Sequence, residues 1–206
     1  MDFKQTVLQE GMYIFQQYGI NRLSMETILD KLDISRGTLA GIARSKAELL
    51  DQCIEVTLAL RQEQFANIIE QADNAVEAIL TLLRANLKAI TGHHPDFLAD
   101  LRSHHQPCWQ KMQAFSEEYL RAYLTQLFNI GTEQQLFKAE LNADILSNLL
   151  LTQTYAIIDA GLLTEPDDQF EDVFKMGFEY YLRGLVTEKG MAVLESKVRE
   201  FATEMP

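Results

Sequence analysis

Apolar residues recur at helical spacing along nearly the whole chain, and this periodicity constrains the fold more than any single motif. Only four prolines and ten glycines interrupt 206 residues. That is too little punctuation for a many-turned β fold, and no segment reads as a strand. The chain reads as all-α. With 47% hydrophobic residues it has material for a sizeable core, which excludes disorder as its overall state.

The helices can be placed from their faces and caps. Val7, Ile14, Phe15 and Tyr18 line a first helix that Gly19 ends. Ser24 caps a second, with Ile28, Leu29 and Leu32 inward. After a turn at Asp33-Ile34, Ser35 caps a short third helix burying Leu39 and Ile42. Ser45 and Glu48 form a capping box that opens a long helix through Leu49, Cys53, Val56 and Leu60. The next helix carries Val76, Leu83 and Ile90 and stops at Gly92. Pro95 and Pro107 each open a further one, the second ending at Gly131. Asn142 or Asp144 starts another, and after Gly161 and Pro166 come Phe170, Phe174, Phe178, Tyr181 and Leu182. A final, weaker segment covers 190–202. The two long helices before it are apolar over more than one stripe. A surface helix needs one buried face, so the excess width predicts a symmetric partner.

The formal charge is −12, unevenly spread. Residues 1–47 hold six basic and five acidic groups, a balance of +1, which leaves −13 for the rest. An acidic body repels DNA while a neutral-to-basic head can approach it. Cys53 and Cys108 stand in no paired motif and read as ordinary cytosolic thiols. The N-terminus shows no signal peptide, and no run reaches the ~20 apolar residues of a membrane span. The expectation is a cytoplasmic protein without membrane contact.

Residues 24–39 have the layout of a helix-turn-helix: a helix, a tight turn, and a second helix whose start can reach base edges. The segment Ser24 to Leu50, with Phe15 and Gly19 ahead of it, resembles the TetR family of transcriptional regulators, and Arg183-Gly184-Leu185 also matches. The resemblance implies nine or ten helices in two parts. Residues 1–47 would be the DNA-binding head, and residues 48–206 a helical body for ligand binding and dimerisation. It implies a homodimeric, ligand-responsive repressor acting on operator DNA, with no cofactor. It implies that Ser24 meets a phosphate, that Ser35, Arg36, Gly37 and Thr38 face the major groove, that Lys46 anchors a phosphate, and that Gly41 and Arg44 belong to the same DNA-binding set. Ser24 and Ser35 are also good helix caps whether or not DNA is present.

Three positions depart from the pattern. Ala40 replaces a frequent tyrosine, Ile42 a histidine or tyrosine, and Ala43 a phenylalanine. Gly41 is expected to weaken the recognition helix by about 1 kcal/mol, and Ala43 to loosen packing. Fewer phosphate contacts predict a shallow salt dependence. The alternative is a TetR-like ligand-binding protein whose recognition helix no longer reads specific DNA.

The resemblance also implies a pocket for a small hydrophobic or aromatic effector, for which Phe97, Leu101, His105, Trp109, Met112, Tyr119 and Tyr155 are candidates. These are equally what any helical core contains. The dimer face is assigned to Leu150, Ile157, Phe174, Phe178, Tyr181 and Leu182. Adjacent histidines at 93–94 and 104–105 point ~100° apart on a helix, so a metal site is not expected. No phosphate loop or nucleophile–base pair appears, so the chain does not read as an enzyme.

Overall fold

The computed structural model describes residues 2–89, 93–160, 162 and 170–203, apart from the side chains of 170 and 171. Ile90, Gly92, Gly161 and Pro166, expected at or near helix ends, and the Phe170 side chain lie outside the described residues.

The helices are α1 (Phe3–Tyr18), α2 (Met25–Leu32), α3 (Arg36–Ala40), α4 (Lys46–Gln71), α5 (Ala75–Lys88) and α6 (Pro95–His104). Helix α7 covers 106–133 as Gln106–Phe115, a π-helical turn at Ser116–Leu120, and Arg121–Glu133. Then come α8 (Ala143–Asp159), α9 over 170–185 with a π-helical turn at Lys175–Glu179, and α10 (Glu188–Thr203). Among the described residues there is no strand, only an isolated bridge between Phe137 and Val186. The all-α expectation holds. None of the described helices is long and apolar enough to cross a membrane.

Local chemistry sets the boundaries. Gly19 ends α1 at φ 76, a conformation glycine takes without strain, and donates its N–H to the Phe15 carbonyl at 3.0 Å. Asp33 closes α2 in the left-handed region at φ 50, where aspartate is tolerated better than most residues. Ser45 Oγ accepts the Glu48 N–H at 3.1 Å, but the Glu48 carboxylate takes the N–H of Arg44, at 2.8 Å, and not that of Ser45. The capping box is thus shifted by one residue at its return bond. Gly131 does not end a helix as expected. It lies inside α7, where a Cβ would come within 2.4 Å of the Phe137 ring, so its role is to admit that ring.

Two compact units form, one from residues 1–63 and 92–115, the other from 64–91 and 116–206. In the first, Leu8, Phe15, Ile28, Leu39, Leu49 and Cys53 share one core with Phe97 and Leu101 of α6. This unit is larger than the 1–47 segment that the motif delimits, because the inner face of α6 buries there. In the second unit, α5, α8 and the Arg121–Glu133 stretch of α7 pack together, with α10 against α5. Phe128 and Phe137 meet edge-on at 5.0 Å.

The dimer-face assignment needs correction. Leu150, Ile157, Phe174, Phe178 and Leu182 are all buried within one protomer. Tyr181 is half-buried, and burial pushes its phenol up. The same helices expose other apolar side chains, Ile145 and Leu149 on α8 and Met176 and Tyr180 on α9. Five of the six assigned side chains are therefore committed to the protomer interior. Helices that are apolar on two sides do not announce which side faces inward.

Candidate nucleic-acid interface

Helices α1 and α2 pack on each other, and Leu39 anchors the short α3 to the same core. Ser24 Oγ accepts the Thr27 N–H at 3.1 Å and lies 2.9 Å from the Thr27 hydroxyl. Ser35 repeats this at α3, with the Thr38 N–H at 3.0 Å and its hydroxyl at 2.8 Å. Two expected DNA-contacting serines are therefore helix caps. A cap satisfies a main-chain donor that otherwise has no partner. Ser35, Arg36, Gly37 and Thr38 nevertheless lie exposed at the start of α3. A Cβ at Gly37 would meet nothing nearer than Ser35 Oγ at 3.7 Å, so the fold itself does not demand glycine there.

Helix α3 ends at Ala40, with Gly41 as its C-terminal cap at φ −72. The expected interior-glycine cost at Gly41 does not apply, because the position is not interior. Ala43 is buried in the core of the unit, and Ile42 packs against that core, so the missing aromatics leave no exposed gap at Ala43. Arg36 reaches back to Glu26 of α2, Nη2 to Oε1 at 2.5 Å. The Glu26 carboxyl is held below its ordinary value, first by its own main-chain N–H and, against slight desolvation, also by the Arg36 guanidinium. Arg44 is exposed.

Lys46 differs from expectation. Its ammonium donates to the main-chain carbonyls of Ile20 at 3.1 Å and Leu23 at 2.9 Å. It thereby ties the start of α4 to the turn between α1 and α2, with one of its three N–H donors left over. The other side of that turn is held by α6. Asp100, buried, accepts the Asn21 main-chain N–H at 2.8 Å and the Asn21 amide at 2.6 Å. Arg22 pairs with Asp96 at 2.9 Å, and the His94 N–H donates to the Gln16 carbonyl at 2.7 Å. His105 lies 3.4 Å from the Asn21 amide oxygen, its imidazole pushed down by burial and by the nearby Lys46 charge. Sequence reasoning missed Asn21, Glu26 and Asp100. Asp100 carried a usable signal, since an acid three residues after Phe97 falls on the buried face of α6.

The seven effector candidates are distributed over both units. Phe97 and Leu101 are fully buried in the first unit, and Trp109 and Met112 pack against that same core. His105 is committed beside Asn21. Tyr119 and Tyr155 belong to the other unit; Tyr119 is exposed and Tyr155 half-buried, its phenol raised by burial. Three clefts among the described residues, of about 330, 640 and 500 Å³, are lined by other side chains. Among the described residues, no group of three or more His, Cys, Asp or Glu could hold a metal ion.

One unit carries a capped helix-turn-helix, the described elements of the other are helices, and the chain has the fold of TetR-family regulators. No protein-family model matches the chain. It is similar to the HTH-type transcriptional repressor KstR2 of Mycobacterium tuberculosis, 21% identical over 156 residues that cover 74% of this chain and 78% of the relative. The solved structure of that ketosteroid regulator covers 91% of this chain and 96% of its own at 19% identity and a TM-score of 0.63. A TetR-family regulator from Cytophaga hutchinsonii covers 90% and 95% at 11% identity, TM-score 0.71. A transcriptional regulator from Saccharomonospora viridis, solved with choline, covers 90% and 98% at 13% identity, TM-score 0.72.

Proposed function

We propose that this protein is a DNA-binding transcriptional regulator, a ligand-responsive repressor that acts as a homodimer in the cytoplasm. Residues 1–47 carry the DNA contact, and residues 48–206 carry dimerisation and effector response. The single observation that carries the reading is the exposed, capped start of α3 at Ser35, Arg36, Gly37 and Thr38, in a head free of the acidic excess found elsewhere. The KstR2 relative is a repressor and one structural neighbour holds choline, which supports a small-molecule effector here. Dimerisation is supported by the exposed Ile145, Leu149, Met176 and Tyr180. Such a dimer meets two half-sites when its recognition helices stand about 34–36 Å apart, and an effector that favours another spacing releases it. No catalytic role is assigned to any residue.

The test is selection of bound duplexes from a randomised pool, followed by affinity measurements across salt concentrations. The expected result is a two-fold symmetric site, bound with a shallow salt slope that corresponds to fewer than about 8 neutralised phosphates. A steep slope would remove the claim of few phosphate contacts. Failure to enrich any sequence at moderate salt would replace the regulator with the second reading, a TetR-like ligand binder without specific DNA. The engagement of the Ser24, Ser35 and Lys46 side chains within the head favours that second reading.

A further inference from the structure

The Glu26–Arg36 pair has no evident role in stability. Its side chains are 65% and 76% exposed, and ion pairs in that setting contribute little against the entropy of holding two long chains together. The pair lies where an interface with DNA would be. Glu26 stands in the first turn of α2, and Arg36 is the first residue of α3. The shorter polar groups beside them are already engaged: Ser35 with Thr38, and Ser24 with Thr27. Lys31, on the same helix as Glu26, is stacked 3.6 Å from the centre of the Tyr18 ring. Arg36 is thus the long cation at the head of α3, and its Nη2 meets the Glu26 carboxylate.

We propose that Glu26 is a positioning residue for sequence reading. It holds the Arg36 guanidinium so that its remaining donors pair with the two major-groove acceptors of a guanine, and each half-site carries a G·C pair opposite Arg36. This inference rests on the regulator reading. Two physical consequences give it content. A guanidinium tethered through one nitrogen is kept from swinging to the nearest phosphate. An ionised carboxylate close to the duplex repels phosphate at every sequence, and only the guanine pairing offsets that repulsion. Glu26 therefore lowers binding to wrong sequences more than to the right one.

The experiment compares the duplex selected by the unaltered protein with a scrambled duplex of equal composition, at several salt concentrations. For Glu26→Ala, the scrambled duplex should be bound more tightly and the selected one no better. The ratio of the two affinities should fall about 10-fold, and the salt slope should steepen by roughly one, as a freed Arg36 finds a phosphate. Reselection with this variant should lose guanine at one position per half-site. Glu26→Gln keeps a hydrogen-bond acceptor without the charge and should retain part of that preference. Arg36→Ala should lose the same guanine, and adding Glu26→Ala to it should cost no further selectivity. An unchanged ratio and slope in Glu26→Ala would overturn the inference alone, as would equal weakening of both duplexes in Arg36→Ala. If the unaltered protein selects no sequence, the regulator reading falls and takes the inference with it.

Discussion

Single residues in this protein often do something other than their sequence context suggests. Lys46 looks like a phosphate anchor at a helix start but holds two carbonyls of the α1–α2 turn. Sequence gives no sign of those carbonyls, because they come from residues more than twenty positions away. The cysteines behave more as composition suggests. Cys53 and Cys108 are both buried, and burial pushes their thiols up to about 12 and about 11. At pH 8 the thiolate is scarce, so alkylation of the folded protein should run at least ~100-fold slower than for a free thiol. Unfolding in denaturant should release both sites, and mass spectrometry after timed iodoacetamide labelling would read this. Rapid labelling of either cysteine in the native state would contradict it. The linkage has a definite sign. These groups hold protons more tightly folded than unfolded, so their contribution is intact below the ordinary thiol value near 8.5. It is lost as pH climbs towards 11 and 12.

Elements were legible where their ends are marked by local chemistry. Ser24, Ser35, Asn142 and Pro95 stand at the helix starts expected of them, since caps act within one turn of the chain. Gly131 was misread for the opposite reason, since its purpose is set by Phe137 packing against it. Gly190 in α10 is a stronger case, where a Cβ would sit 2.1 Å from the Leu136 carbonyl oxygen. Gly190→Ala should therefore destabilise the protein towards the upper part of the ~1–3 kcal/mol range typical of overpacking, read from urea melts. A change below a few tenths of that range would mean the 134–138 turn gives way freely. Asp100 links α6 to the α1–α2 turn by two hydrogen bonds. Asp100→Ala leaves both Asn21 donors without this partner and should cost about 1.5–3 kcal/mol, with weaker binding to the selected duplex. Unchanged stability and unchanged affinity together would show that α6 does not hold the head.

At the scale of the molecule, the apolar excess of α8 and α9 divides between two tasks. Leu150, Ile157, Phe178 and Leu182 fill the protomer, while Ile145, Leu149, Met176 and Tyr180 remain exposed. A Leu149→Glu, Met176→Glu variant should halve the mass in solution by light scattering while keeping its helical circular dichroism. An undiminished dimer mass would move the interface elsewhere. A polar change at Leu150 or Phe178 should unfold the second unit instead, since each is 0% exposed. The all-α class, the order of helices, the helix-turn-helix and the charge contrast of its head were legible along the chain. Each rests on periodicity, caps or counts, which are properties of neighbours along the chain. Tertiary structure decided which apolar faces turn inward and that α6 belongs with the head. It also decided that Lys46 serves a turn and that Arg36 is held by Glu26. These depend on groups brought together across tens of residues, and a burial or a hydrogen bond exists only once both sides are in place.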